Sequence, residues 1–235
     1  MERFFTFPAP SVKAVFLNRP QRFLAEVKLP DGTTTLAYCA NPGSFHGCLE
    51  TGSPCMLWDS AESERKRRYT LRAVKLGKTW LGTDTHLANE LIETALRRRL
   101  LPHLEKFDVL KREPRSRNGS RLDFLLGDGV GECFLEVKSA TVTFGGLAQF
   151  PDSLSPRSVE HLNALIKVVK TGRRAVLVFL IQRGDVEGLK INAACDPAFN
   201  RAFARALKAG VEFQALKHTL TVKGFGQPVP VPVLY

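Results

Sequence analysis

No two cysteines stand as Cys-x-x-Cys, no two histidines as His-x-x-x-His, and no apolar run approaches the roughly 20 residues that a membrane-spanning helix needs. These absences argue against a structural zinc and against a membrane span. The five cysteines, Cys39, Cys48, Cys55, Cys133 and Cys195, are odd in number and argue against a disulfide framework, so buried or half-buried thiols are expected. The opening Met1-Glu2-Arg3-Phe4-Phe5 lacks the charged-then-apolar layout of a secretory signal, and the expected location is the cytoplasm. Acidic side chains are also scarce. Against 34 Lys and Arg stand 23 Asp and Glu, a formal charge of +11. Both halves share the excess, with 12 basic against 7 acidic residues over 1–82 and 22 against 16 over 83–235. Such a balance points to a polyanionic partner. A membrane surface would call for a basic amphipathic helix with a clear apolar face, and none is found. Nucleic acid, DNA foremost, is the expected partner, with a merely well-solvated basic protein as the alternative.

What is present is organised around residues 121–139. Two apolar runs flank the turn Gly127-Asp128-Gly129, which reads as a β-hairpin with Asp123 on one arm and Glu136 and Lys138 on the other. Side chains alternate faces along a strand, so Arg121, Asp123 and Leu125 share one face, as do Phe134, Glu136 and Lys138. Two opposed carboxylates repel unless a cation lies between them, and Lys138, Arg121 or a metal would serve.

Upstream, residues 11–82 read as all-β. Runs at Ala14–Leu17, Arg22–Leu29, Thr33–Cys39, Cys55–Trp58, Tyr69–Leu76 and Thr79–Leu81 are parted by Pro30-Asp31-Gly32, Pro42-Gly43 and Thr51-Gly52-Ser53-Pro54. About five strands in this length suggest a small barrel of the oligonucleotide-binding (OB) type, or a small sandwich. The basic run Arg65-Lys66-Arg67-Arg68 beside Tyr69 suits phosphates and a stacked base, or else is a solvated loop paired with Glu62 and Glu64.

The pattern changes at Gly82, which sets expected domains of 1–82 and 83–235. Asp84 or Thr85 is placed to cap a helix with the stripe Leu87, Leu91, Ala95 and Leu96, and the basic stretch 111–120 follows a strand at Phe107–Leu110. Ser155-Pro156 opens a second helix, Ala175–Ile181 is an unbroken apolar run typical of a strand covered on both faces, and Asp196-Pro197 opens a third helix. Val211–Leu216 reads as a strand and Gln227–Pro232 as an extended tail. The fold class is therefore mixed α/β. A homodimer is left open.

Chemically, Asp123 and Glu136 offer the hard oxygens that Mg²⁺ or Mn²⁺ prefers, with the Val137 carbonyl as a further ligand. Lys138 is spaced to orient a water or offset charge on a phosphate undergoing attack, and Arg121 to contact a phosphate oxygen. A plain cross-strand salt bridge is the alternative.

The element order resembles the restriction-endonuclease-like nuclease core, and the whole chain resembles the sugar fermentation stimulation protein family. The matching residues are Arg22-Phe23, Asn41-Pro42-Gly43-Ser44 with Gly47, Asn89, Ser120-Arg121-Leu122-Asp123, Glu136-Val137-Lys138-Ser139, Phe150-Pro151-Asp152, Arg157 and His161-Leu162. The resemblance implies an N-terminal OB barrel followed by a restriction-endonuclease-like domain, DNA binding, and a regulatory link to sugar metabolism. It puts Asp123, Glu136 and Lys138 on the nuclease-core positions and Asp152, Arg157 and His161 on the rim, with Arg22 and Asn41 toward nucleic acid and Asn89 and Ser139 in support. Two departures from the family pattern are Ser158 in place of Gly and Glu160 in place of Lys, the second removing a positive charge near the rim.

Overall fold

The computed structural model describes residues 3–7, 10–61, 66–114 and 121–235. Arg65, and Arg115 and Arg117 of the expected basic loop, lie outside the described residues.

The first strand, β1 (Phe5–Thr6), is followed by β2 (Ser11–Gln21), β3 (Leu24–Lys28), β4 (Thr34–Tyr38), β5 (Pro54–Asp59), β6 (Tyr69–Leu76) and β7 (Thr79–Gly82). Strands β2 to β7 form one sheet in the order β4-β3-β2-β5-β6-β7, and β4 also meets β6 at Tyr38 and Thr70, which closes the sheet on itself. Its interior is small and apolar, built from Phe16, Ala25, Val27, Ala37, Leu57, Leu71 and Val74, the inward positions of alternating strands. The β3–β4 turn forms as Pro30-Asp31-Gly32 demands: Asp31 Oδ1 accepts from the Thr33 amide at 2.9 Å, and Gly32 takes φ +88°.

The rest of the chain contributes α1 (Leu87–Arg97), β8 (Asp108–Arg112), β9 (Phe124–Gly127), β10 (Glu132–Ala140), β11 (Thr143–Phe144), β12 (Leu147–Phe150), α2 (Pro156–Val169), β13 (Arg174–Ile181), β14 (Gly188–Ile191), α3 (Pro197–Ala209), β15 (Glu212–Thr221), β16 (Gly224–Val231) and β17 (Val233–Leu234). The main sheet runs β1-β16-β15-β13-β10-β9-β8. At its centre β13 lies parallel to both β10 and β15, and Ala175–Ile181 is fully buried, because helices cover both faces. On one face, α1 packs Leu91, Ile92, Ala95 and Leu96 against Leu135, Val137 and Val178. On the other, α2 and α3 pack Leu162, Leu165, Phe199 and Phe203 against Phe134, Leu177 and Phe179.

Several expectations are corrected. Neither Asp84 nor Thr85 caps α1. Asp84 is buried in an ion pair with Arg72 at 2.7 Å, and the Thr85 hydroxyl donates to the Ala40 carbonyl at 2.9 Å. The Gln227–Pro232 segment is not a free tail but most of β16, antiparallel to β15. Its prolines are tolerated because β1 pairs only with Gly224 and Phe225, so Pro228 and Pro230 fall where β16 has no second neighbour in the sheet. Through β1, the chain before the barrel crosses the expected division at residue 82. The small sheet β11-β12-β14-β17 was not expected at all.

Phe225 anchors this edge: it is 1% exposed and packs edge-on against Phe5 and Phe7. Phe225→Ala is expected to cost about 3–5 kcal/mol and Val229→Ala, on the same strand but 47% exposed, less than about 1 kcal/mol, as read from urea unfolding midpoints.

Candidate active-site cleft

The hairpin forms as its turn directs. Asp128 Oδ1 accepts from the amides of Val130 and Gly131, at 2.9 and 2.7 Å, and Gly129 takes φ +85°. Register then pairs Phe124 with Leu135, so the next position sets Asp123 opposite Glu136. Asp123 no longer has strand geometry itself; instead its carboxylate replaces the ladder. Oδ2 accepts from the Val137 amide at 2.7 Å and Oδ1 from the Asn89 side chain of α1 at 2.8 Å. An amide and a carbonyl of one strand residue point to the same edge, so the Val137 carbonyl faces the Asp123 side as well.

Glu136 is 2% exposed. Its Oε1 accepts from Lys138 Nζ at 2.6 Å and from His161 Nδ1 of α2, while its Oε2 is buried with no hydrogen-bond partner. Arg157 Nε donates to His161 Nε2 at 3.3 Å, which assigns the ring proton to Nδ1 beside Glu136, and Lys138 Nζ lies 3.1 Å from the same Nδ1. Burial works to raise the Glu136 carboxyl, but the Lys138 ammonium and the His161 N–H outweigh it and hold the group below the usual carboxylate range. Asp123 goes the other way. Burial, with the Glu136 charge adding to it, pushes its carboxyl up to about 6 against the Val137 and Asn89 hydrogen bonds.

Around this pair lies a cleft of about 420 Å³ between the barrel and the second unit. It gathers most of the expected residues: Asn89, Asp123, Glu136, Val137, Lys138 and Ser139 on its floor, Asp152, Arg157 and His161 on one wall, Arg22 and Asn41 on the other. The Ser139 hydroxyl is buried without a partner. His161 is buried, with one ring nitrogen on Glu136 and the other on Arg157. Ser158 fits where a glycine was expected, its hydroxyl 2.6 Å from that of Ser155, and Glu160 does not line the cleft.

Four expected nucleic-acid residues lie elsewhere. Arg121 pairs with Glu113 at 3.2 Å in a separate hollow, Arg68 is held bidentate by Asp59 at 2.7 Å, and Lys66 lines a hollow on the barrel together with Arg67. Sequence reasoning missed Arg19. Its guanidinium spans the loop over the cleft, donating to the carbonyls of Gly43 at 2.7 Å and Asn41 at 2.8 Å, while Ser44 donates to Asp152 Oδ2 at 3.0 Å. A Cβ at Gly43 would press on the Asp152 and Asn41 side chains, one of which would have to shift. His86, at the start of α1, also faces the cleft and carried no signal beyond its residue type.

Among the described residues, no group of three or more His, Cys, Asp and Glu side chains gathers to hold a metal. Two carboxylates, one of them with its Oε2 unpartnered, and a backbone carbonyl nevertheless suit a hard cation that keeps several waters.

Residues 17–83 match the family model described as SfsA N-terminal OB domain, and residues 86–224 that described as Sugar fermentation stimulation protein RE domain. A sugar fermentation stimulation protein homolog of Allorhizobium ampelinum is 38% identical over 97% of this chain and 98% of its own length. One of Geobacter sulfurreducens is 37% identical, over 97% of each. A solved structure of Pyrococcus furiosus SfsA in complex with Ca²⁺ superposes with a TM-score of 0.90, at 30% identity, and covers both chains completely. The mixed α/β fold with its OB domain is thereby that of these relatives, and the pairing of domains is consistent with DNA binding. No helix among the described residues is long and apolar enough to cross a membrane.

A ligand carboxylate must lose its proton, so cation affinity should follow the raised value of Asp123. Any divalent-ion binding that runs through Asp123, read by calorimetry, is expected to be flat above pH 7 and to weaken about tenfold per unit below pH 6. Asp123→Asn should bind weakly at every pH, without that slope.

Proposed function

The chain belongs to the sugar fermentation stimulation protein family, and from that premise we propose that its cleft hydrolyses DNA phosphodiester bonds with Mg²⁺ or Mn²⁺. One observation carries this reading: Asp123 and Glu136 face each other in a cleft with Glu136 Oε2 free of partners and Lys138 alongside. The Ca²⁺ bound by the Pyrococcus furiosus relative supports a divalent ion, which Asp123, Glu136 and the Val137 carbonyl would hold. When bound, such an ion supplies positive charge that polarises the scissile phosphate and offsets the leaving oxygen.

The remaining work falls to the chain's own groups. Asn89 and the Val137 amide fix Asp123, and His161, itself fixed by Arg157, fixes Glu136. These second contacts keep both carboxylates aimed without spending their outward lone pairs. Lys138 Nζ stands beside Glu136 to orient a water for attack and to steady negative charge as the phosphorus is attacked. Arg22 and Arg157 on opposite walls receive the flanking phosphates, with the Ser139 hydroxyl as a further donor. A regulatory link to sugar metabolism would act through this same DNA binding.

A second reading, a DNA-binding regulator without turnover, is favoured by the Lys138–Glu136 contact, which occupies Oε1. Labelled DNA incubated with Mn²⁺ separates the two. Lys138→Ala is expected to lower the cleavage rate by about 10²- to 10⁴-fold while binding DNA nearly as wild type. Identical trace cleavage by both proteins would leave the regulator.

A further inference from the structure

We propose that the DNA brought to this cleft is single-stranded and is led there across the barrel by three rings, Phe23, Tyr38 and His86. The inference rests on the cleft's being a DNA phosphodiesterase site and adds the strand state that the site receives. Phe23 sits at the turn between β2 and β3, and its ring lies 6.5 Å from that of Tyr38 with 20° between their planes. Tyr38, at the end of β4, lies 6.2 Å from His86 with 26° between planes. The row is therefore three near-parallel rings long. It is accessible at both ends, with Phe23 43% exposed and the His86 side chain 70% exposed. His86 also lines the cleft, so the row ends at its wall.

Charge accompanies the rings. At the outer end, Lys66 and Arg67 border a hollow of about 650 Å³ whose other sides are Phe23, Leu24, Leu36 and Tyr38. The neighbouring Arg68 is spent on Asp59, whereas among the described residues Arg67 reaches no farther than the Lys66 carbonyl, at 3.5 Å. Arg22 links the two places: its guanidinium lies 5.7 Å over the Phe23 ring, and it lines the cleft as well. Apolar ring faces beside positive charge that no described acidic side chain engages match a chain that presents bases and phosphates on separate sides. A duplex keeps its bases stacked inside and gains only the charge, so the rings discriminate between the two states.

Fluorescence anisotropy of the full chain in EDTA tests this with a short labelled oligothymidine and a duplex of equal length. The single strand is expected to bind more tightly. Phe23→Ala should weaken it by about 5- to 150-fold, the worth of one stacked base, and leave the duplex unchanged. Phe23→Leu, which keeps apolar bulk without a ring, should lose as much, and Phe23→Tyr should bind as wild type. Equal affinity for both strand states, or full single-strand affinity in a folded Phe23→Leu protein, overturns the proposal. Because no metal is present, the two readings fail separately. Mn²⁺-dependent duplex cleavage indifferent to Phe23 would remove the row and keep the nuclease. Ring-dependent single-strand binding without cleavage would keep the row and remove the nuclease.

Discussion

Two carboxylates face each other across one rung of a buried hairpin, and much of the surrounding structure answers the repulsion this creates. Asp123 and Glu136 are brought together by register alone, since a turn of fixed length between β9 and β10 leaves no other pairing for them. Their charges are then treated unequally. Glu136 receives a lysine and a histidine and stays ionised; Asp123 receives only an amide and a side-chain N–H and is pushed toward the neutral form. Burial and the neighbouring charges account for the split. A cation between the pair would restore Asp123 to its ionised state and give Glu136 Oε2 its missing partner.

The hairpin was legible because its signals are local. Gly127-Asp128-Gly129 specifies the turn, and the apolar runs on either side specify the arms. The same holds for β13, whose unbroken apolar run requires cover on both faces, and for α3, where Asp196 accepts from the Phe199 amide at one end and Gly210 takes the left-handed conformation at the other. Strands β12 and β14 were not legible. Each has four residues, too few to establish an alternation, and each is held by a partner distant in sequence. The mistaken tail has a related cause: prolines at 228 and 230 speak against a strand in general but not against one lacking a second neighbour.

The site divides in the same way. Asp123, Glu136 and Lys138 are two residues apart or opposed on a hairpin, so sequence spacing places them. The roles of the basic residues depend on tertiary partners and do not follow from spacing. Lys66, Arg67 and Arg68 are consecutive, yet Asp59 engages the third, while the first two line an apolar hollow. Arg19 reads as an ordinary strand residue until the loop 41–44 is folded against it and its guanidinium meets the loop's carbonyls.

That loop also explains why the two domains form one site. Asn41 accepts from the Gly43 amide and donates to Thr141, beyond the end of β10, and Asp152 accepts from Ser44. Arg22 donates to the Pro42 carbonyl from the barrel side. The barrel wall of the cleft is therefore bonded to the chain that continues from the Glu136 strand, and Gly43 lies close against the Asp152 side chain. A barrel held this closely cannot serve as a loose tether that only raises local concentration. Its residues sit at fixed distances from Asp123 and Glu136, so a strand lying on the barrel would meet the carboxylates in one register.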